Sequence, residues 1–262
     1  MQYFDTHAHY TDERFSSEFE GGSDKLLSEL FAGDVRYIVN VATNMNNALD
    51  VIAQAANYPD MFAAVGIHPS DCVDFPDIEC HLSKLRALLD ERKKHKIVAL
   101  GEIELDYYWD TEHKDLQKEY LTRQLDLACE YDMPVIIHDR DAHGDTFETL
   151  IKYDNIRGVL HSFSGSPEMA LELTRRGWYI SFSGVISFKN ARKAREVAAV
   201  VPKDKILIET DCPYLTPEPF RGKLNRSDYL MYTLNALANT RNEDVISLGN
   251  VIFQNSCNFF GI

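Results

Sequence analysis

Two rhythms alternate along the chain. Compact apolar runs rich in Val, Ile and Ala read as strands buried on both faces. They fall at Tyr37–Thr43, Phe62–His68, Ile97–Leu105, Pro134–Arg140, Arg157–Phe163, Trp178–Gly184 and Ile206–Asp211, and Tyr3 and Phe4 open one more run toward His9. Between them apolar residues return every three or four positions, as on the inner face of a helix. Leu26, Leu27, Leu30 and Phe31 make one such face, which Ser23 and Asp24 are placed to cap and Gly33 to end. The same spacing predicts helices up to about residue 57, over 77–95 and over 114–131, and a short one between the fifth and sixth strands. Ser166-Pro167 opens another that Gly177 closes, and two more are expected near 226–239 and 243–256. A polar loop is expected after His9.

Eight strands alternating with helices, without linker, repeat or low-complexity segment, describe a parallel sheet covered on its outer face. At 262 residues this closes most simply into a (β/α)8 TIM barrel, a single domain over residues 1–262. An open doubly wound sheet is the competitor, but no Gly-rich phosphate loop follows the first strand.

Composition narrows the chemistry. The net charge of -14 makes the surface as a whole repel polyanions, so any phosphate recognition must come from a local cluster of cations. The five cysteines (Cys72, Cys80, Cys129, Cys212, Cys257) are scattered, with no Cys-x-x-Cys pair. Neither a disulfide framework nor a thiolate zinc site is indicated, which favours a reducing compartment. Residues 1–9 lack the pattern of a secretion signal, and no apolar run approaches membrane-spanning length. The expectation is a cytoplasmic protein without membrane association, and nothing points to an obligate protein partner.

In a barrel of this kind the working residues stand at the C-terminal ends of the strands. His7 and His9 are placed at the end of the first strand, two apart and therefore on one face with Asp5. Glu102 is placed at the end of the fourth, His138 of the fifth, His161 of the sixth and Asp211 of the eighth. Singly, each has an ordinary explanation as a strand-end charge, a satisfied core histidine or a helix cap. Together they are six nitrogen and oxygen donors at the same end of five strands. That suffices for two divalent cations with one carboxylate between them and positions left for water or substrate.

Seven segments carry a likeness to a known family: Phe-Asp-Thr-His-Ala-His (4–9), Gly-Ile-His-Pro (66–69), Gly-Glu-Ile-Glu-Leu-Asp-Tyr-Tyr (101–108), Val-Ile-Ile-His-Asp-Arg-Asp-Ala (135–142), His-Ser-Phe-Ser-Gly (161–165), Glu-Thr-Asp-Cys-Pro-Tyr-Leu-Thr-Pro (209–217) and Arg-Gly-Lys-Leu-Asn (221–225). In these the chain resembles the TatD family of metal-dependent deoxyribonucleases, within the amidohydrolase-like barrels. The resemblance implies metal ligands at His7, His9, Glu102, His138, His161 and Asp211. Glu102 would bridge the ions, with His7, His9 and Asp211 on one and His138 and His161 on the other. Three positions depart from the family pattern. Glu104 stands where Gly is usual, and either bends outward or narrows the site and alters metal preference. Cys212 replaces a small residue, and Ser227 lies where Pro is frequent, affecting the start of a helix.

Around this set are candidates for substrate contact. His68 either touches substrate, as its family counterpart is thought to, or fills the mouth. Glu209, two residues before Asp211 on the same face, can orient the ligands. Arg140 holds a phosphate or pairs with Asp139 and Asp141, the pairing being the more ordinary outcome. Arg221, Lys223 and Arg226 form a basic cluster after the eighth strand, either solvated or used for phosphate capture. His81, His95, His113 and His143 receive no role.

The function that follows is hydrolysis of phosphodiesters in DNA, at strand ends, by water activated between two divalent ions. Asp211 would serve as general base, the role of its equivalent in related barrels. The first rival is a deacylase or esterase acting on a carboxylic ester or amide, such as a mischarged tRNA or a small molecule, since the same activated water attacks a carbonyl. The second rival is a metal-stabilised binding scaffold. Histidine-rich ligation suits Zn2+ or Mn2+, whereas phosphoryl transfer often uses Mg2+.

Overall fold

In the computed structural model, which describes residues 1–74 and 77–262, eight parallel strands follow one another around a sheet in sequence order. They are β1 (Tyr3–Ala8), β2 (Val35–Val41), β3 (Met61–Val65), β4 (Ile97–Asp106), β5 (Val135–Arg140), β6 (Gly158–Leu160), β7 (Tyr179–Phe182) and β8 (Ile206–Ile208). The ring closes just beyond β8, where Ala8 bridges Cys212 in parallel. This is a TIM barrel, as the alternating pattern predicts.

The helices outside are α1 (Glu13–Glu18), α2 (Gly22–Ala32), α3 (Ala48–Ala56), α4 (Pro69–Asp74), α5 (Ile78–Asp90), α6 (Lys114–Tyr131), α7 (His143–Leu150), α8 (Pro167–Arg175), α9 (Arg192–Val200), α10 (Leu230–Arg241) and α11 (Val245–Phe260). Ser166 caps α8 by accepting the Met169 N–H, with Pro167 in the first turn, as expected. Elsewhere the local readings need correction. The residue before α2 is Gly21 in a left-handed conformation, so Ser23 lies inside the first turn. The loop after His9 contains α1, capped by Asp12. Pro69 opens α4, because proline at a first helical position forfeits no intrahelical bond. No helix is expected between β7 and β8, yet α9 lies there. It buries only Val197 and Ala198, too narrow a face to stand out in a basic segment.

Two apolar clusters hold the barrel. The larger packs helices against the outer face of the strands. The smaller fills the interior with Phe4, Val39, Val41, Ala64, Ala99, Ile136, Val159 and Leu207, and Phe259 and Phe260 from α11 join it. Two residues further on come His138 within β5, and His161 and Glu209 one residue past β6 and β8. The interior therefore changes from a hydrocarbon layer to a polar one within a single alternation.

On β1 and β4 the change happens differently. Each ladder slips register, between Asp5 and Ala8 on β1 and between Leu100 and Ile103 on β4. The slip re-aims side chains, so that Ala99 packs in the interior cluster while Ile103 and Leu105 pack outside and Glu102 and Glu104 turn inward. A Cβ on Gly101 would stand 2.8 Å from the Ile136 backbone oxygen, so that strand approach tolerates no side chain. Among the described residues no helix is long and apolar enough to cross a membrane.

Candidate metal centre

One side of the centre is made where the barrel closes. His7 Nε2 and His9 Nε2 lie 3.1 Å apart, and Asp211 Oδ1 is 3.2 Å from His9 Nε2 and 3.9 Å from His7 Nε2. The Val41 carbonyl, 2.9 Å from His9 Nδ1, takes that N–H and leaves Nε2 as the bare nitrogen facing the centre. Asp211 lies three residues past β8, at φ 56°. Its backbone N–H donates to the His7 carbonyl at 2.9 Å, and the His9 N–H donates to the Cys212 carbonyl at 2.8 Å.

Beneath this seam is Asp5, fully buried. Its Oδ1 accepts the Thr210 N–H at 2.9 Å, and its Oδ2 accepts the hydroxyls of Thr210 at 2.5 Å and Ser227 at 2.6 Å. Burial pushes its pKa up to about 6, against the pull of those bonds. Ser227, expected only to affect a helix start, is thus part of the seam, and its N–H also donates to the Tyr10 hydroxyl at 3.0 Å.

β4, β5 and β6 make the other side. Glu102 lies within β4, which runs on to Asp106, rather than at its end, and His161 stands one residue beyond β6. Glu102 Oε1 is 2.7 Å from His161 Nε2 and 3.6 Å from His138 Nδ1, while Oε2 is 3.5 Å from His7 Nε2. One oxygen thus faces each side. His138 Nδ1 and His161 Nε2 are 2.7 Å apart, and the His7 and His161 rings stack at 3.8 Å. Glu209 Oε1 lies 3.3 Å from His161 Nδ1, and Glu209 accepts the Ser162 N–H and the Ser181 hydroxyl. Glu104 does not bend outward. It is buried opposite His138, and its Oε2 is 3.0 Å from His68 Nε2. His68 Nδ1 lies 2.9 Å from the Ser70 hydroxyl, which leaves its Nε2–H to Glu104.

These atoms form three groups tight enough to hold a cation: His7, His9 and Asp211; His7, Glu102 and His161; and Glu102, Glu104 and His138. The donor chemistry fits a divalent ion. Among the described residues no Lys or Arg makes an ion pair with Glu102, Glu104, Glu209 or Asp211, and buried carboxylates need a proton or a cation. Imidazole nitrogens also face one another at 2.7 and 3.1 Å, an arrangement that only shared protons or metal can satisfy. The electrostatics agree. Burial opposes the charged form of both partners, yet Glu102 lifts His161 well above the usual imidazole range, and His161 with His7 holds Glu102 well below the usual carboxylate range. His68 is lifted to about 9, burial being outweighed by Glu104.

A cavity of about 480 Å³ opens beside this centre, lined by His138, Asp211, Ser162, Asn190, Arg140 and Lys193 among others. Arg140 does not pair with its neighbours. Asp139 is taken by His143 at 2.7 Å, and the guanidinium lies 4.7 and 5.6 Å from the ring centres of the exposed Tyr108 and Trp109. Lys193 and Asn190, on and just before α9, have no motif to mark them. Arg221 and Lys223 line a second cavity of about 380 Å³ that shares Leu215 with the first, and they lie over Phe188 and Phe220. Arg226 is instead paired with Asp228 at 2.6 Å.

The signature of the TatD related DNase family matches residues 4–261. The chain belongs to the TatD family. Over 99% of both chains it is 36% identical to the uncharacterized metal-dependent hydrolase YabD of Bacillus subtilis. It is 35% identical to YcfH of Escherichia coli K12, described in the same words, over 98% of this chain and 95% of that one. Among solved structures, the TatD homologue YjjV of Escherichia coli K12 superposes with a TM-score of 0.89 at 32% identity, covering 99% of this chain and 98% of that chain.

Proposed function

We propose that this TatD-family protein, a metal-dependent hydrolase, cleaves phosphodiester bonds in DNA from strand ends. One observation carries the reading. Beside the centre lies a cavity whose wall holds Arg140 and Lys193 among Asp139, Asp141 and Asp211, with neither cation at ion-pair distance from a carboxylate among the described residues, in a chain of net charge -14. Arg221 and Lys223 continue this cationic margin. Cations beside a metal centre that are not held in an ion pair suit an anionic substrate, and a neutral acyl ester has no use for them. A cavity of about 480 Å³ admits a piece of substrate the size of a small ligand, which supports attack at an end.

On this reading the centre would hold two ions. His7, His9 and Asp211 would hold one, His138 and His161 the other, with Glu102 between, since its two oxygens face the two sides. When bound, divalent ions such as Mn2+, Mg2+ or Zn2+ supply acidification of water and neutralisation of phosphoryl charge. Asp211 takes the proton of the attacking water. Burial raises its pKa, but His9 and the other imidazoles lower it further, so the carboxylate is ionised at neutral pH and free to accept. Val41 and Glu209 orient His9 and His161. Arg140 and Lys193 hold the phosphates flanking the scissile bond, and Tyr108 and Trp109 offer ring faces to a base.

The test is incubation of metal-reconstituted protein with end-labelled single- and double-stranded oligonucleotides, and in parallel with acyl esters. Progressive shortening from an end supports the reading. Ester turnover without oligonucleotide cleavage replaces it with the deacylase.

A further inference from the structure

Glu104 has no ordinary reason to sit where it does. It follows Glu102 by two residues on one strand and lies directly opposite His138 on the next. Only 5% exposed, it has His68 as its one ion-pair partner among the described residues, at 3.0 Å. One of its oxygens, one of Glu102 and a ring nitrogen of His138 all lie within 4.8 Å of one another. Two carboxylates so close in a buried setting repel, and a carboxylate serving only as a partner for His68 would gain by turning from Glu102. A carboxylate also has about four lone-pair sites, so a single N–H from His68 leaves it able to bind an ion.

We propose that Glu104 is a ligand of the second ion position, beside Glu102 and His138, with His68 holding the carboxylate in place. The position then carries two carboxylates, and the added oxygen ligand narrows the advantage that Zn2+ otherwise holds over Mn2+ at an imidazole-rich site. This inference rests on the two-position reading of the centre and is independent of which substrate is cleaved. His68 acts on the ion only through Glu104 and is a positioning residue.

The experiment is titration of metal-free protein with MnCl2 and with ZnCl2 by calorimetry, with electron paramagnetic resonance following the manganese. Wild type takes up two equivalents of Mn2+ and shows the signal of a magnetically coupled pair. Glu104→Ala keeps the first equivalent at unchanged affinity, binds the second at least about tenfold more weakly and loses the coupled signal. Glu104→Gln, which keeps the volume and an oxygen for the His68 N–H, loses the second equivalent too, with a circular-dichroism melt in EDTA like that of wild type. In both variants the second site loses more affinity for Mn2+ than for Zn2+. Two equivalents of equal affinity in wild type and both variants overturn the proposal and leave the two-position reading standing. A single equivalent in wild type overturns both.

Discussion

Two regions of the barrel deliver ligands to the same centre by different means. Between β4 and β5 a regular ladder pairs Ile103 with Ile137, Glu104 with His138 and Leu105 with Asp139. There the register sets Glu104 beside an imidazole, just past the slip that turns Glu102 inward. At the seam between β1 and the end of β8 the ladder is one bridge, Ala8 to Cys212, and Asp211 sits in a left-handed conformation. Its place is fixed by backbone bonds to His7 and by the buried Asp5 carboxylate, which ties Thr210 and Ser227 together. Ligand geometry is a by-product of sheet pairing in the first region. In the second it depends on a polar network that could fail while the barrel stands.

The largest expected effect is at the seam itself. Asp211→Asn keeps an oxygen but removes the base, so kcat should fall by about 10²–10⁴-fold with most of the metal retained. His7→Ala should instead lower metal content directly. Near-normal turnover of metal-loaded Asp211→Asn would rule out the base assignment.

Next comes the ladder side. Ile137 is fully buried, and Ile137→Ala should cost about 2–5 kcal/mol of unfolding free energy in urea titrations. Because register survives the loss of one side chain, metal stoichiometry should be unchanged. A variant that folds but loses an ion would show that pairing alone does not set the ligands.

Asp5→Asn probes the network without touching a ligand, and metal affinity should weaken by about 10–100-fold. It also has a pH signature. The folded carboxyl titrates near 6, above its ordinary 3.8, so the fold prefers the protonated form. Its contribution to stability is complete below pH 3.8 and is lost as pH rises through about 6, a change of at most about 3 kcal/mol. Metal-free wild type should show this loss relative to Asp5→Asn in denaturation series between pH 4 and 7, and parallel curves would contradict it.

The smallest effects compare cations flanking the two regions. Arg221→Ala with Lys223→Ala should raise KM on oligonucleotides several-fold and flatten the log–log salt dependence of binding by about one to two. Arg140→Ala, at the end of β5, should do about half as much. If ester substrates suffer equally, these residues do not act on phosphate.

The alternation of apolar runs and helical faces determined the barrel, because burial on both faces and an amphipathic period are written in local composition. The six candidate ligands were legible for a related reason: polar residues capable of binding a metal stand out at the ends of apolar runs. What the chain could not declare was where those runs slip or stop. Glu102 lies inside β4 and Asp211 beyond β8 because of a register shift and a seam, and each depends on the neighbouring strand. The same holds for side-chain company. Arg140 stands beside Asp139 and Asp141 in sequence yet rests on Tyr108 and Trp109, which follow β4, while Asp139 is taken by His143 at the start of α7. Asp5, Ser227 and Thr210 are separated by more than 200 residues of chain between the first and the others, and only closure of the barrel makes them one hydrogen-bonded group. Local preference acts over a turn or a strand, whereas the position of a buried charge is decided by whatever the closed barrel brings within a few ångströms of it.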